Sequence, residues 1–213
     1  YLATPEWCAA GELQTGDIVA LHDHRSAPQW AGAHTYEHGY LIGLLIGDGT
    51  LKSDAAVLSV WRMPAVVNGP ALGSVTGVSA VMEHALAAVR TMPCRSEFAG
   101  WHEVKGRGEY RLQTRALRDL ANELGMKPRN KRITPVMERA SSDFYRGFLR
   151  GFFDSDGSVQ GSQAKGVSVR LAQSDMDRLQ AVQRMLLRLG IVSIIYCERR
   201  AASTTVLPNG KGG

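Results

Sequence analysis

Two acids in this sequence stand where an acid is costly. Asp48 closes the run at residues 41–49, LIGLLIGDG, and Asp156 closes residues 148–157, FLRGFFDSDG. Each run reads as a helix, and each acid is the last residue before a glycine. A carboxylate there meets the negative end of the helix macrodipole, at a cost of about 0.3–1 kcal/mol. Small residues recur every four positions in both runs, at Gly43 and Gly47 and at Gly147, Gly151 and Ser155. Glycine inside a helix costs about 1 kcal/mol relative to alanine, so these positions call for a compensating contact. Close backbone approach of the two helices supplies one. Helices packed in that way set Asp48 beside Asp156, and two crowded acids argue for bound cations. Hard oxygen donors suit Mg²⁺ with several waters retained. Such ions activate water and stabilise the leaving oxygen of a phosphodiester.

Other chemistries are poorly served. Asp154 precedes Asp156 by two residues, but Ile46 stands at its equivalent in the first run, so only the last acid of each run is paired. A calcium loop counted from Asp154 requires Glu at its twelfth position and finds Lys165. His34 and His38 are four apart without a third ligand, and P-loop, GxSxG and GxGxxG patterns are missing from the sequence. Cys8, Cys94 and Cys197 are odd in number and far apart, which is neither a disulfide framework nor a zinc knuckle.

The elements around the two runs repeat. Thr35 is a suitable N-cap, and residues 36–47 read as a buried helix, apolar almost all round. Short strands follow at 50–52 and 57–62, then a Gly/Pro-rich loop and a helix near 80–90. A hairpin is expected from 98–104 and 109–114, then an amphipathic helix with Leu117, Leu120, Ala121 and Leu124 inward and Gly125 as its stop. The order helix, strand, strand, helix, strand, strand, helix then begins again. Asp143 can cap the second glycine-faced helix. Strands are expected at 158–161 and 167–173, where Val167, Val169 and Leu171 alternate with Ser168 and Arg170. Ser174 with Asp177 reads as a capping box for a helix through Leu189, and 191–197 as a strand. The second round is expected to be incomplete after Arg200. Before the first helix, Leu13, Ile18, Val19 and Leu21 read as a strand after a Gly16-Asp17 turn. The expected fold class is therefore α+β. Its parts are a β segment at 1–24, a connector at 25–33, repeats at 34–125 and 143–213, and a linker at 126–142.

Charge is uneven along the 213 residues. The formal net charge is +5, yet residues 1–24 hold four acids and no Lys or Arg, so all 25 basic residues come later. The block 105–139 carries ten basic and four acidic residues. Such a distribution fits a polyanion partner, most often nucleic acid. No apolar run approaches a membrane span, and the N-terminal residues lack signal-peptide character, which reads as an intracellular, cytoplasmic protein.

Two LxGxxxxDG runs about a hundred residues apart, each followed by strands, resemble the LAGLIDADG homing endonucleases. LRGFFDSDG is near-ideal, and LIGLLIGDG departs mainly at Ile46 and Gly47. The resemblance covers roughly residues 36–197. It implies two pseudo-symmetric αββαββα halves in a monomer, whose paired helices form the interface. It also implies that Asp48 and Asp156 bind Mg²⁺ and cut one strand each of double-stranded DNA. Strands forming a saddle over DNA make Lys52, Trp61, Arg62, Arg111, Gln113, Lys165 and Arg170 groove-facing candidates, and Arg115 the nearest candidate for an assisting basic residue. The opening, TPEWCAAGELQTGDIV, looks like the late N-terminal part of an intein splicing (Hint) domain. Residues 166–191 and the GMKP at 125–128 are similar to inteins of bacterial ribonucleotide reductases. The sequence lacks an N-terminal Cys or Ser, a Thr-x-x-His block and a terminal His-Asn, so this chain would not splice by itself. The expectation is a homing endonuclease domain of an intein, with host exteins as partners in the precursor. A non-cleaving, maturase-like DNA- or RNA-binding relative and a structural insertion are the alternatives.

Overall fold

Thr35 starts the first helix as a hydroxyl cap. Its side chain accepts from the His38 backbone amide at 3.4 Å, and α1 runs Tyr36–Ile46. In this computed structural model, which describes residues 8–20, 29–61, 74–162, 164 and 166–197, the whole stretch 39–46 is buried. A helix with no polar face must be enclosed on all sides. The later half of the chain provides one wall, in α4, Ser142–Asp156.

The two helices meet backbone to backbone. A Cβ added at Gly43 would collide with the Phe148 carbonyl oxygen and lie 2.6 Å from the Phe152 nitrogen. One at Gly147 would collide with the Tyr36 carbonyl oxygen and lie 2.9 Å from the Tyr40 nitrogen, and one at Gly151 would strike the Tyr40 carbonyl. Gly39, one turn before Gly43, is equally confined against Phe144. Gly47 meets the Ser155 side chain. On α4 the aromatic series Phe144, Phe148 and Phe152 is fully buried, with ring centroids 6.1 and 5.9 Å apart.

Strands follow each helix. β1 (Thr50–Leu51), β2 (Ala56–Trp61), β3 (Trp101–Val104) and β4 (Glu109–Thr114) form an antiparallel sheet in the order β1-β2-β4-β3. Leu51, Ala56, Leu58 and Leu112 lie on its core side. The helices α2 (Ser74–Arg90) and α3 (Arg115–Glu123) contribute Ala85, Ala88, Val89, Leu117, Leu120 and Ala121 to the same core. Gly125 ends α3 with a φ of 81°, a conformation glycine adopts without strain. After α4 come β5 (Gly157–Ser162) and β6 (Gly166–Leu171), an antiparallel pair, and α5 (Met176–Arg188), whose Val182 and Met185 join the core. The described residues thus form an α+β fold with five α-helices and antiparallel sheets.

Several local expectations are corrected. Ser141, not Asp143, caps α4. Its hydroxyl oxygen accepts from the Phe144 amide at 3.0 Å and its O–H donates to the His34 carbonyl at 2.7 Å. That second bond ties the start of α4 to the start of α1, and Asp143 is left one position inside, paired with Arg146 at 3.1 Å. Asp175, not Ser174, caps α5 by accepting from the Arg178 amide at 3.2 Å. The strand expected at Leu13, Ile18 and Val19 is instead a 3-10 turn, Ala10–Glu12, and unpaired exposed chain. No described strand lies beside it to complete a ladder. Residues 191–197 likewise join no ladder among the described residues, and Gln183 donates to the Ser193 carbonyl at 2.8 Å. Leu21, Arg62, Lys165 and the chain after 197 lie outside the described residues.

Gly43→Ala and Gly77→Ala separate the two kinds of helical glycine. A Cβ at Gly77, on α2, meets nothing within 4 Å. Alanine there should stabilise the fold by about 0.5–1 kcal/mol. Alanine at Gly43 must push the α1 and α4 backbones apart and should destabilise by at least the roughly 1–3 kcal/mol of ordinary overpacking. Urea unfolding of both variants checks the contrast.

Candidate active site at the paired helix ends

Because α1 and α4 are joined along their glycines, the ends of both helices are brought together. Asp156 is the last residue of α4, and Asp48 follows Gly47, the C-cap of α1. The Asp156 carboxylate lies beside Gly47, whose added Cβ would be 2.9 Å from Oδ1. Burial raises the Asp48 carboxyl above the ordinary range, the charge of Asp156 raises it further, and Lys131 opposes both. The two acids therefore feel each other, as electrostatic neighbours in a partly desolvated place.

Lys131 is the first of three residues here that the sequence does not mark, with Gln173 and Arg178. It lies in the segment expected to be a linker, yet its Nζ donates to the carbonyls of Leu45 (2.9 Å), Ile46 (3.2 Å), Gly47 (3.2 Å) and Gly49. The first three are carbonyls that the end of α1 leaves without helical partners, and Gly49 lies just beyond it. A signal exists, since α1 has no basic residue in its own last turn to meet its negative end. Burial lowers the Lys131 pKa first and Arg178 lowers it further, against the pull of Asp156 and Asp48.

Gln173, just beyond β6, also reaches the site, and its Nε2 donates to Asp156 Oδ2. Its Oε1 accepts from Arg178 Nη1 at 2.9 Å. Asp154 is employed elsewhere. Tyr40 of α1 donates its hydroxyl to Asp154 Oδ2 at 3.0 Å, and Arg150 lies 3.8 Å from the same oxygen. Burial pushes the Tyr40 hydroxyl pKa up, with Asp154 adding to the rise. Asp154 thus binds the helix pair together rather than joining Asp48 and Asp156.

The remaining sequence candidates fall on two sheets. Side chains directly opposite one another in a ladder share a face. The pairs Ser59↔Arg111, Trp61↔Glu109 and Val57↔Gln113 therefore put Trp61, Arg111 and Gln113 on the face away from Leu58 and Leu112. Lys52 is exposed at the end of β1. Arg111 is held by buried Glu109 through bonds of 2.6 and 3.0 Å. Arg115 sits apart, as the first residue of α3, 3.9 Å from Asp119. Arg170 is exposed on β6 with its Nε on Ser168 at 3.0 Å.

Two glycine-faced helices of this α+β fold, joined along their backbones, thus each deliver a carboxylate to the same end of the pair. Residues 143–208 match the LAGLIDADG-like domain family, so the chain carries a LAGLIDADG-like domain, a kind typical of homing endonucleases. It is also similar to the alpha subunits of the ribonucleoside-diphosphate reductases NrdEB of Bacillus subtilis and of Bacillus phage SPbeta. Each is 25% identical over 206 residues, covering 95% of this chain and 18% of the relative. A DNA polymerase of Thermococcus litoralis is 27% identical over 166 residues, 74% of this chain and 9% of that one. The chain spans less than a fifth of the length of these relatives.

The raised pKa of Asp48 sets the sign of a stability change. A carboxyl whose folded pKa lies above its unfolded value favours the fold fully below the unfolded value, and that benefit is lost as pH rises through the folded one. At pH 7 the ionised acid is therefore a cost. In protein free of divalent ions, Asp48→Asn should raise the Tm at pH 7 relative to the unsubstituted chain, and the gap should close toward pH 4. A lower Tm for Asp48→Asn at pH 7 would contradict the charge-crowding seen here.

Proposed function

We propose that the chain is the homing endonuclease region of an intein and makes metal-dependent double-strand cuts in DNA at a specific site. The observation that carries this reading is the electrostatic coupling of Asp48 and Asp156 at the joined ends of α1 and α4. On this reading each helix opens one half of an αββαββα pair, and the protein acts as a monomer with an internal two-fold. Residues 1–24 then belong to the end of an N-terminal splicing segment. Similarity to short pieces of a reductase and of a DNA polymerase, proteins of unrelated activity by name, is what an inserted element would produce. The exteins of such a host are the partners in the precursor.

The donors at the helix ends fit Mg²⁺. Two carboxylates in a site already crowded with negative charge are hard ligands, and Mg²⁺ takes one or two carboxylates while keeping its waters. Asp48 and Asp156 would hold it. When bound, the ion polarises the attacking water and offsets charge on the leaving oxygen of the phosphodiester. The residues of the chain do the positioning. Asp156 is oriented by the Gln173 amide, and Asp48 is kept in place by α1, whose terminal carbonyls Lys131 gathers. The ammonium of Lys131 brings positive charge to the place where a scissile phosphate would lie. Lys52, Trp61, Arg111 and Gln113 on one sheet and Arg170 on the other would meet the DNA, phosphate contacts giving affinity and base edges specificity.

The test is cleavage of a library of DNA duplexes spanning an uninterrupted host gene, with Mg²⁺, by the full intein bearing this region. The unsubstituted protein should cut one site on both strands. Asp156→Asn should lower the rate by more than about a hundredfold while leaving binding intact. Site-specific binding without any cutting would replace the nuclease reading with that of a non-cleaving DNA-binding relative.

A further inference from the structure

Arg178 joins the two sides of the site without touching either acid. It stands in the first turn of α5, placed by the Asp175 cap, and its side chain is only 19% exposed. One arm, Nη1, donates to Gln173 Oε1 at 2.9 Å, and the other, Nη2, donates to the Lys131 carbonyl at 3.0 Å. The first bond has a chemical consequence. A guanidinium can only donate, so the Gln173 amide must present its oxygen to Arg178 and its NH₂ to Asp156. The second bond anchors the backbone of the residue whose Nζ collects the carbonyls at the end of α1, next to Asp48. A continuous series thus runs from Asp156 through Gln173, Arg178 and Lys131 to α1. Its links come from β6's exit, α5, the intervening segment and the first helix. Planarity of the guanidinium fixes the angle between its two arms, which a lysine could not do.

We propose that Arg178 is the positioning residue of the two-acid site, orienting the Gln173 amide toward Asp156 and anchoring Lys131 toward Asp48. The proposal rests on the reading that Asp48 and Asp156 hold divalent ions. The Arg178 Nε is buried without an acceptor in hydrogen-bond range, Asp175 Oδ2 lying 4.0 Å away as an ion-pair partner. The two arms that do bond serve the site.

The experiment combines Mg²⁺ titration by calorimetry with NMR of the Gln173 side-chain amide, in the full chain and in Arg178→Met, Gln173→Leu and the double variant. Arg178→Met should move the Gln173 amide resonances toward those of a free glutamine and weaken Mg²⁺ about tenfold, the low end for groups that orient metal ligands. Gln173→Leu should weaken Mg²⁺ similarly, and the double variant by no more than either alone, because the two act in series. Unchanged amide resonances in Arg178→Met, or losses that add, would overturn the proposal. If Arg178→Met fails to fold, Arg178→Lys keeps the charge but not the fork, and the same amide shift is expected. Failure of the unsubstituted chain to bind Mg²⁺ would instead sink the metal reading, and the amide resonance alone would then decide the role of Arg178.

Discussion

The contact between the backbones of α1 and α4 is the constraint on which the rest depends. Gly39, Gly43, Gly147 and Gly151 each face the main chain of the other helix with no room for a Cβ. Such an approach exchanges side-chain burial for many short-range contacts between main-chain atoms, whose dispersion energy falls steeply with separation. It also leaves the pair little freedom to slide, because each glycine is opposite a particular peptide. Polar bonds between the helices fix the same register. The Ser141 hydroxyl holds the His34 carbonyl at one end, and Tyr40 holds Asp154 further along.

Fixed register places Asp48 and Asp156 together, and the surrounding groups manage the cost. Two acids at two helix C-termini would accumulate negative charge from four sources. Lys131 answers three of them at once, by bonding carbonyls of α1 and attracting both carboxylates. The compensation is incomplete, since Asp48 stays raised. Residual negative charge beside one half-buried ammonium is an arrangement held at some cost to the stability of the fold. Asp154 and Asp156, two residues apart on one helix, illustrate how position decides role. One turns toward Tyr40 and Arg150, the other toward Gly47 and Gln173.

What the sequence reveals is whatever is encoded locally. The glycine spacing, the hairpin at residues 101–114 and the stop at Gly125 depend on neighbours within a few turns, and they are legible. Caps are legible only to within two residues. Several hydroxyls and acids compete at each helix start, and a tertiary bond, such as Ser141 to His34, chooses among them. Lys131, Gln173 and Arg178 are not legible as members of the two-acid site. Lys131 lies 86 residues from the Leu45 carbonyl it meets, and nothing near it in sequence distinguishes it from the other basic residues of its block. The strands expected at 13–19 and 191–197 join no ladder among the described residues, for a related reason. A strand needs a ladder partner, and alternation in one segment does not say whether a partner is there.

The central claim is that the helix pair makes Asp48 and Asp156 one electrostatic unit. Titrating the Asp48 carboxyl by carbon-detected NMR, in the unsubstituted chain and in Asp156→Asn without divalent ions, tests it directly. The account predicts that Asp48 titrates at lower pH once the Asp156 charge is gone, while burial still holds it above an ordinary aspartate. An Asp48 titration unchanged by Asp156→Asn would contradict it.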